Sequence, residues 1–242
     1  MRDPRIEIVA ERFSGIGRVI AVSSGKGGVG KSIVATSLAL TLAGNGEKVG
    51  LLDLDFTSPS THVILGAEGL RPKEERGIIP PVVHGLSYMS IVYYSVDEPV
   101  PLRGADVSNA LIELLAITRW GELDYLIIDM PPGIGDATLD LLRLIPGISF
   151  LVVTTPSRVA FESVRKLLLL LRETSTPVIG VVENMAARPA GYIRGEVEKL
   201  RFSYLGSLSF DLGIEDAVGD PAKLMATKFA GQIKRLAKRI AA

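Results

Sequence analysis

Cysteine is absent from the 242 residues. That removes disulfides, thiolate metal ligands, a cysteine nucleophile and any cysteine-held iron–sulfur cluster from this chain's own chemistry. Histidine is scarce, present only as His62 and His84. Net charge is lacking too: 27 Lys plus Arg oppose 27 Asp plus Glu, for a formal charge of zero. Such a balance argues against charge-driven nucleic-acid binding. Long apolar runs are missing. The uncharged stretch nearest to spanning length, Gly77 to Val96, is interrupted by Pro80, Pro81, His84 and Gly85, so it reads as a loop entering a strand. Arg2, Asp3, Arg5, Glu7 and Glu11 break up the N-terminal segment; no secretory leader is expected there, and a cytoplasmic location is. No fixed period repeats, which removes solenoids and propellers.

What is present is alternation of short β-branched runs with helical patterns. Residues 18–23, 48–53, 86–92, 124–129, 148–154, 177–183 and 202–208 read as strands, many of them apolar on both faces. Helical spacing covers 31–43, 105–118, 137–144, 157–173, 192–200 and 221–240. Strands apolar on both faces need cover on both faces, so the expected fold is α/β, a doubly wound, mainly parallel sheet flanked by helices. A chain this long buries roughly 70–75% of its unfolded surface, enough for a single domain over 1–242. Residues 1–16 read as a lead-in and 221–242 as a C-terminal docking helix. In that helix Leu224, Met225, Phe229, Ile233, Leu236 and Ile240 oppose a basic face, a pattern that a membrane interface or the protein's own sheet can satisfy; docking on the sheet is the preferred reading. Ligands of such sheets bind beyond the carboxyl ends of strands. Loops 66–85 and 93–104 exceed what the fold requires, so they are either functional or plain insertions.

After Val19-Ile20-Ala21-Val22 comes Gly25-Lys26-Gly27-Gly28-Val29-Gly30-Lys31-Ser32, followed by Ile33, Val34 and Leu38 at helical spacing. This is G-x-x-x-x-G-K-[ST] between a strand and a helix, the setting a phosphate-binding loop needs. Its glycines permit positive φ and close approach of N–H groups to phosphate oxygens. The helix that follows turns its positive end on the same anion. Lys31 is then expected to neutralise β and γ oxygens, and Ser32 to ligate Mg²⁺. Tyr125 to Asp129 is an apolar strand ending in an acid, and Asp129 is suited to hold Mg²⁺ directly or through water. Gly133 beyond it is a candidate for following the γ-phosphate. Asp53 and Asp55 are spaced to put both carboxylates on one side of an extended chain, one orienting water and the other supporting the metal. Both are candidates for catalysis, with Asp53 also a metal candidate.

The loop Ser24-Gly25-Lys26-Gly27-Gly28-Val29-Gly30-Lys31-Ser32 resembles the deviant Walker A loop of the MinD/Mrp/ParA ATPases. That resemblance implies ATP or ADP and Mg²⁺ as cofactors, slow hydrolysis and a homodimer formed on ATP binding. Lys26, by itself a plausible surface charge, would cross to the partner's nucleotide. The resemblance also favours Asp55 for the attacking water, Asn184 for the adenine edge, and Phe210-Asp211 for the segment closing over the base. It extends from Arg18 to about Lys234. Ser58-Pro59-Ser60, Leu102-Arg103-Gly104, Met130-Pro131-Pro132-Gly133 and Val182-Glu183-Asn184-Met185 point to the Mrp branch, whose members assist metal-centre assembly.

Most Mrp-type chains carry C-x-x-C after the E-N-M segment; here the place reads Ala186-Ala187-Arg188-Pro189-Ala190. The cysteine-less pattern, with Pro80 to Gly85 and Ile117 to Trp120, resembles the archaeal Mrp-type form of the hydrogenase-maturation factor HypB. This implies nickel delivery together with a metallochaperone. The alternatives are an iron–sulfur assembly ATPase working through a partner's cluster, or a positioning ATPase on membrane or DNA; direct nucleic-acid binding and membrane binding are not expected. A P-loop kinase also stays open. His84 is either a nickel ligand, which imidazole suits, or a structural residue. With no thiolate available, the purified chain is expected to hold no iron–sulfur cluster, oxidised or reduced. Iron and acid-labile sulfide assays check this, and stoichiometric amounts of both would contradict it.

Overall fold

The computed structural model describes residues 3–93, 105–187 and 191–241. The chain opens with helix α1 (Arg5–Phe13), the central strand β1 (Ile16–Ser24) and helix α2 (Lys31–Gly44). Strand β2 (Val49–Asp53) and the short helix α3 (Thr61–Leu65) follow. A small antiparallel pair, β3 (Lys73–Glu74) with β4 (Ile78–Ile79), precedes β5 (Val82–Val83) and β6 (Leu86–Ser90). Then come α4 (Ala105–Ile117), β7 (Leu123–Asp129), α5 (Asp136–Leu144), β8 (Ser149–Thr154) and α6 (Arg158–Glu173). The chain continues through β9 (Val178–Ala186), α7 (Gly191–Lys199), β10 (Tyr204–Ser209), α8 (Pro221–Ala226) and α9 (Lys228–Ala241).

The main sheet runs β10-β9-β8-β1-β7-β2-β6-β5, parallel except for β5 against β6. The middles of its central strands, such as Val19 to Val22 and Leu126 to Ile128, are apolar at successive positions because alternate residues feed two cores. Ala21, Ile128 and Val152 face the layer of α1, α4, α5, α6 and α7, where Phe13, Leu115, Leu141 and Phe161 are buried. Ile20, Ile127 and Leu151 face α2, α3, α8 and α9, with Leu38, Leu65, Leu224 and Phe229. Register aligns the carboxyl ends: Val22 lies opposite Asp129, and Asp129 opposite Asp53. The loop after β1 therefore opens where two acidic strand ends already stand.

Several boundaries differ from those expected. The lead-in is helix α1, docked through Val9 and Phe13 on the core beside α4; its flanking charges hid a short amphipathic stripe. β9 runs to Ala186, so Asn184 lies inside a strand rather than after it. β6 stops at Ser90 and gives way to a 3₁₀ turn over Ile91–Tyr93. Loop 66–85 contains β3, β4 and the edge strand β5. Most of loop 93–104, with Pro99, Pro101, Leu102, Arg103 and Gly104, lies outside the described residues, as do Arg188, Pro189 and Ala190.

The C-terminal segment is two helices, broken at Thr227, which is extended at φ −70° and ψ 160°. Side chains at the break satisfy the N–H groups that a new helix start exposes. Thr227 Oγ1 accepts from Ala230 N at 3.1 Å, and Asp211 Oδ2 accepts from Phe229 N at 3.0 Å. The other Asp211 oxygen accepts from Gly213 N at 3.0 Å. The apolar face of α9 (Phe229, Ile233, Leu236, Ile240) is buried against the sheet side of the molecule. Among the described residues no helix is long and apolar enough to cross a membrane. Asp211→Ala uncaps two helix starts and is expected to cost about 1–2 kcal/mol of stability, read by urea denaturation; an unchanged midpoint would show that the caps carry nothing.

Candidate functional site

The loop between β1 and α2 is built by close approach. Gly25 packs against α6 so tightly that an added Cβ would lie 2.5 Å from Val164 N and 2.6 Å from the Ser163 carbonyl carbon. Gly30 sits at φ +77°, and a Cβ there would meet Asn184 Nδ2 at 2.3 Å. That amide donates to Val29 O at 2.9 Å and is buried. Ser24 Oγ donates to Lys26 O at 2.9 Å, pinning the loop's other end. Gly27 and Gly28 have no atom within 4 Å of an added Cβ, which leaves open space over the cradle. Val34 N bonds to Gly30 O at 3.2 Å, so the N–H groups ahead of it, through Ser32 and Ile33, precede the first helical bond and face an incoming anion.

Two lysines of this loop have opposite surroundings. Lys31 is 6% exposed and its Nζ lies 2.6 Å from Asp129 Oδ1, on a carboxylate that is 0% exposed. Ser32 Oγ is 3.4 Å from the same ammonium. Lys26 is exposed, and no ion pair engages it among the described residues. Asp129 Oδ2 is buried with no hydrogen-bond partner among the described residues. A buried oxygen is rarely left so unless something else completes it. Asp129 Oδ2 and Ser32 Oγ fit Mg²⁺, a hard cation that takes oxygen donors and keeps several waters. The arrangement is that of a nucleotide-hydrolysing enzyme using Mg²⁺.

The other acids are more committed to the protein than their spacing suggested. Asp53 Oδ1 accepts from Asp55 N at 3.0 Å, and Oδ2 accepts from Ser60 N, Thr61 N and Thr61 Oγ1 at 3.2, 3.1 and 2.7 Å. Thr61 Oγ1 also lies 2.9 Å from Tyr88 Oη; having given its proton to Asp53, it accepts from Tyr88. Asp53 thus anchors the loop into α3 as an internal organiser. Asp55 Oδ1 accepts from Thr57 N, Thr57 Oγ1 and Ser58 N at 3.1, 2.6 and 3.1 Å. Thr61 and Tyr88, missed in the sequence, carry this support, and only Ser60-Thr61 after a turn hinted at it. Gly133 N donates to Ser24 O at 2.9 Å, tying the segment after β7 to the phosphate loop.

Phe210 is 60% exposed beside the strand carrying Asn184, its N bonded to Ala186 O at 3.2 Å. Asp211, expected over the base, has both oxygens engaged as helix caps. His84 is a turn residue at φ +49° whose Nε2 lies 3.0 Å from Leu65 O. No group of three or more His, Asp or Glu side chains able to hold a metal occurs among the described residues.

Burial pushes the Asp129 carboxyl up to about 6, Lys31 opposes the rise, and Asp53 adds to it. The folded carboxyl therefore keeps its proton where the unfolded one, near 3.8, has lost it. In that window the native state binds more protons, so stability falls as pH rises, and the loss is complete above the folded value. Lys31→Ala removes the opposing cation and extends the window upward. Denaturant titrations between roughly pH 5 and 8 are expected to show the variant still losing stability above pH 6, where wild type has levelled; parallel curves would contradict this.

The family described as ParA: NUBPL iron-transfer P-loop NTPase matches residues 15–241. An iron–sulfur cluster carrier protein of Pseudomonas fragi is 46% identical over 178 residues, covering 72% of this chain but only 62% of that protein. One of Methanocaldococcus jannaschii is 38% identical over 251 residues, covering 96% of this chain and 87% of that one. Among solved structures, a nucleotide-binding protein of Archaeoglobus fulgidus in complex with ADP is 32% identical. It covers 90% of this chain and 92% of that chain, with a TM-score of 0.76. The carriers' names give no support to the nickel-delivering HypB form that the cysteine-less pattern resembled. The chain belongs to the ParA/NUBPL family of P-loop NTPases.

Proposed function

We propose that this chain is an ATP-driven homodimeric switch in iron–sulfur assembly, acting on a cluster that a partner holds. The observation that carries the switch is the contrast between its lysines: one buried on Asp129, the other exposed at the same loop with no ion-pair partner among the described residues. A triphosphate in the cradle offers Lys31 a second anion, and the ammonium moves from Asp129 Oδ1 toward the β and γ oxygens. The whole Asp129 carboxylate is then free, beside Ser32. Mg²⁺, when bound, supplies charge neutralisation between the phosphates. Asp55, its Oδ1 held by Thr57 and Ser58, orients water, and Asn184, already on Val29 O, reads adenine. Lys26 reaches across to the nucleotide of a second copy. Catalysis is electrostatic positioning with no covalent protein intermediate.

The names of the carrier relatives support an iron–sulfur role, while the residues here do not fit a resident cluster, since the chain has no cysteine. The cluster is therefore substrate, and this chain's part is conformational. Gly133, bonded to Ser24 O, is the element whose position reports the nucleotide. Lys26→Ala is expected to bind ATP as wild type does but to lose ATP-induced pairing and most of its turnover, about 10²-fold or more for one transition-state charge. Calorimetry and phosphate release check this together. Normal turnover by the variant removes the shared-lysine reading; loss of nucleotide affinity would move Lys26 to its own chain's site.

A further inference from the structure

Strand β10 ends the sheet and pairs only with β9. Along its open edge lies a trough of about 480 Å³, walled by α7 on one side and α9 on the other. Gly191 and Arg194 line one wall, Gln232, Arg235, Leu236 and Arg239 the other, with Tyr204 to Leu208 as the floor. No carboxylate lines it among the described residues. Its three arginines, Arg194, Arg235 and Arg239, are exposed and enter no ion pair among the described residues. In a chain of zero formal charge, this is a local excess of cations facing a concave surface.

Internal contacts hold the walls in place. The Arg194 guanidinium stacks over the Tyr204 ring at 5.1 Å, and the Tyr204 hydroxyl donates to buried Glu183 at 2.7 Å. Arg239 donates to Leu205 O. Gln232 accepts from Ser209 N at 2.8 Å and donates to Ser209 Oγ at 2.7 Å. These side chains cover edge groups that a further strand would use, so strand addition is disfavoured. Guanidinium forks match carboxylates with two parallel bonds. Arg235 and Arg239 stand one helical turn apart, opposite Arg194, so the charges form rows along a groove. Rows suit a chain carrying several carboxylates better than one compact anion.

We infer that this trough binds an acidic peptide segment of a partner protein, seated on Arg194, Arg235 and Arg239. The site is separate from the nucleotide loop and does not rest on the proposed reaction. The test uses the full chain and a fluorescein-labelled peptide of alternating Asp and Leu, read by fluorescence anisotropy near physiological ionic strength. Saturable binding is expected, weakened about 10-fold or more in Arg235→Ala, with ATP turnover and thermal midpoint as in wild type. Arg235→Glu serves as a second variant, because the Arg235 side chain has no ion-pair partner to lose among the described residues. Binding that does not saturate, or that is equal in wild type and both variants, overturns the inference. So does capture of the protein by phosphatidylserine vesicles, or of pyrophosphate at these arginines, without peptide binding.

Discussion

A buried ion pair between Lys31 and Asp129 is the constraint on which the rest of this molecule depends. Both groups are withdrawn from water, and desolvation costs several kcal/mol per ion, which their attraction only partly offsets. The pair therefore contributes little net stability, yet neither member can be left alone without a large penalty. It is also incomplete, since one oxygen of Asp129 has no hydrogen-bond partner among the described residues. A contact of this kind is poised to be exchanged: a phosphate can take the ammonium, and a cation with the Ser32 hydroxyl can take the carboxylate. Apo stability and ligand affinity are thus set by the same atoms.

The fold brings that pair together by register. β1 is flanked by β7 and β8, and the phosphate loop leaves β1 level with the acid ending β7. Two contacts tie neighbouring elements to the same loop. The Asn184 amide on Val29 O joins β9 to it, and Gly133 N on Ser24 O joins the segment leading to α5. In the proposed switch, nucleotide occupancy bears on both elements, and Lys26 is where a second copy bears on the loop.

Much of this was legible in the sequence for physical reasons. Val19 to Val22 and Leu126 to Ile128 are apolar at every position, which only a sheet covered twice can bury, and the spacing from Gly25 to Ser32 follows from wrapping backbone amides around phosphates. What stayed hidden depended on hydrogen bonds without a period. Nothing in Leu52-Asp53-Leu54-Asp55 says that Asp53 will be taken up by Ser60 and Thr61, or that Tyr88 will complete the set. The resemblance put Phe210-Asp211 over the base, and nothing in the sequence says that the Asp211 oxygens accept from Gly213 N and Phe229 N at two helix starts. The break at Thr227 was concealed because Met225, Phe229 and Ile233 keep helical spacing across it. The nickel reading is a different case: it rested on a resemblance of the cysteine-less pattern, with Pro80 to Gly85 and Ile117 to Trp120, to the HypB form, and the carrier relatives' names do not support it.

In the proposed switch, a triphosphate draws two copies together through one loop. Sedimentation velocity of the wild-type chain, 25.9 kDa, with Mg²⁺ and a non-hydrolysable ATP analogue tests this most directly. A species of about twice the chain mass, reverting on exchange into ADP, is the predicted result. A chain that stays single at saturating analogue would contradict the account.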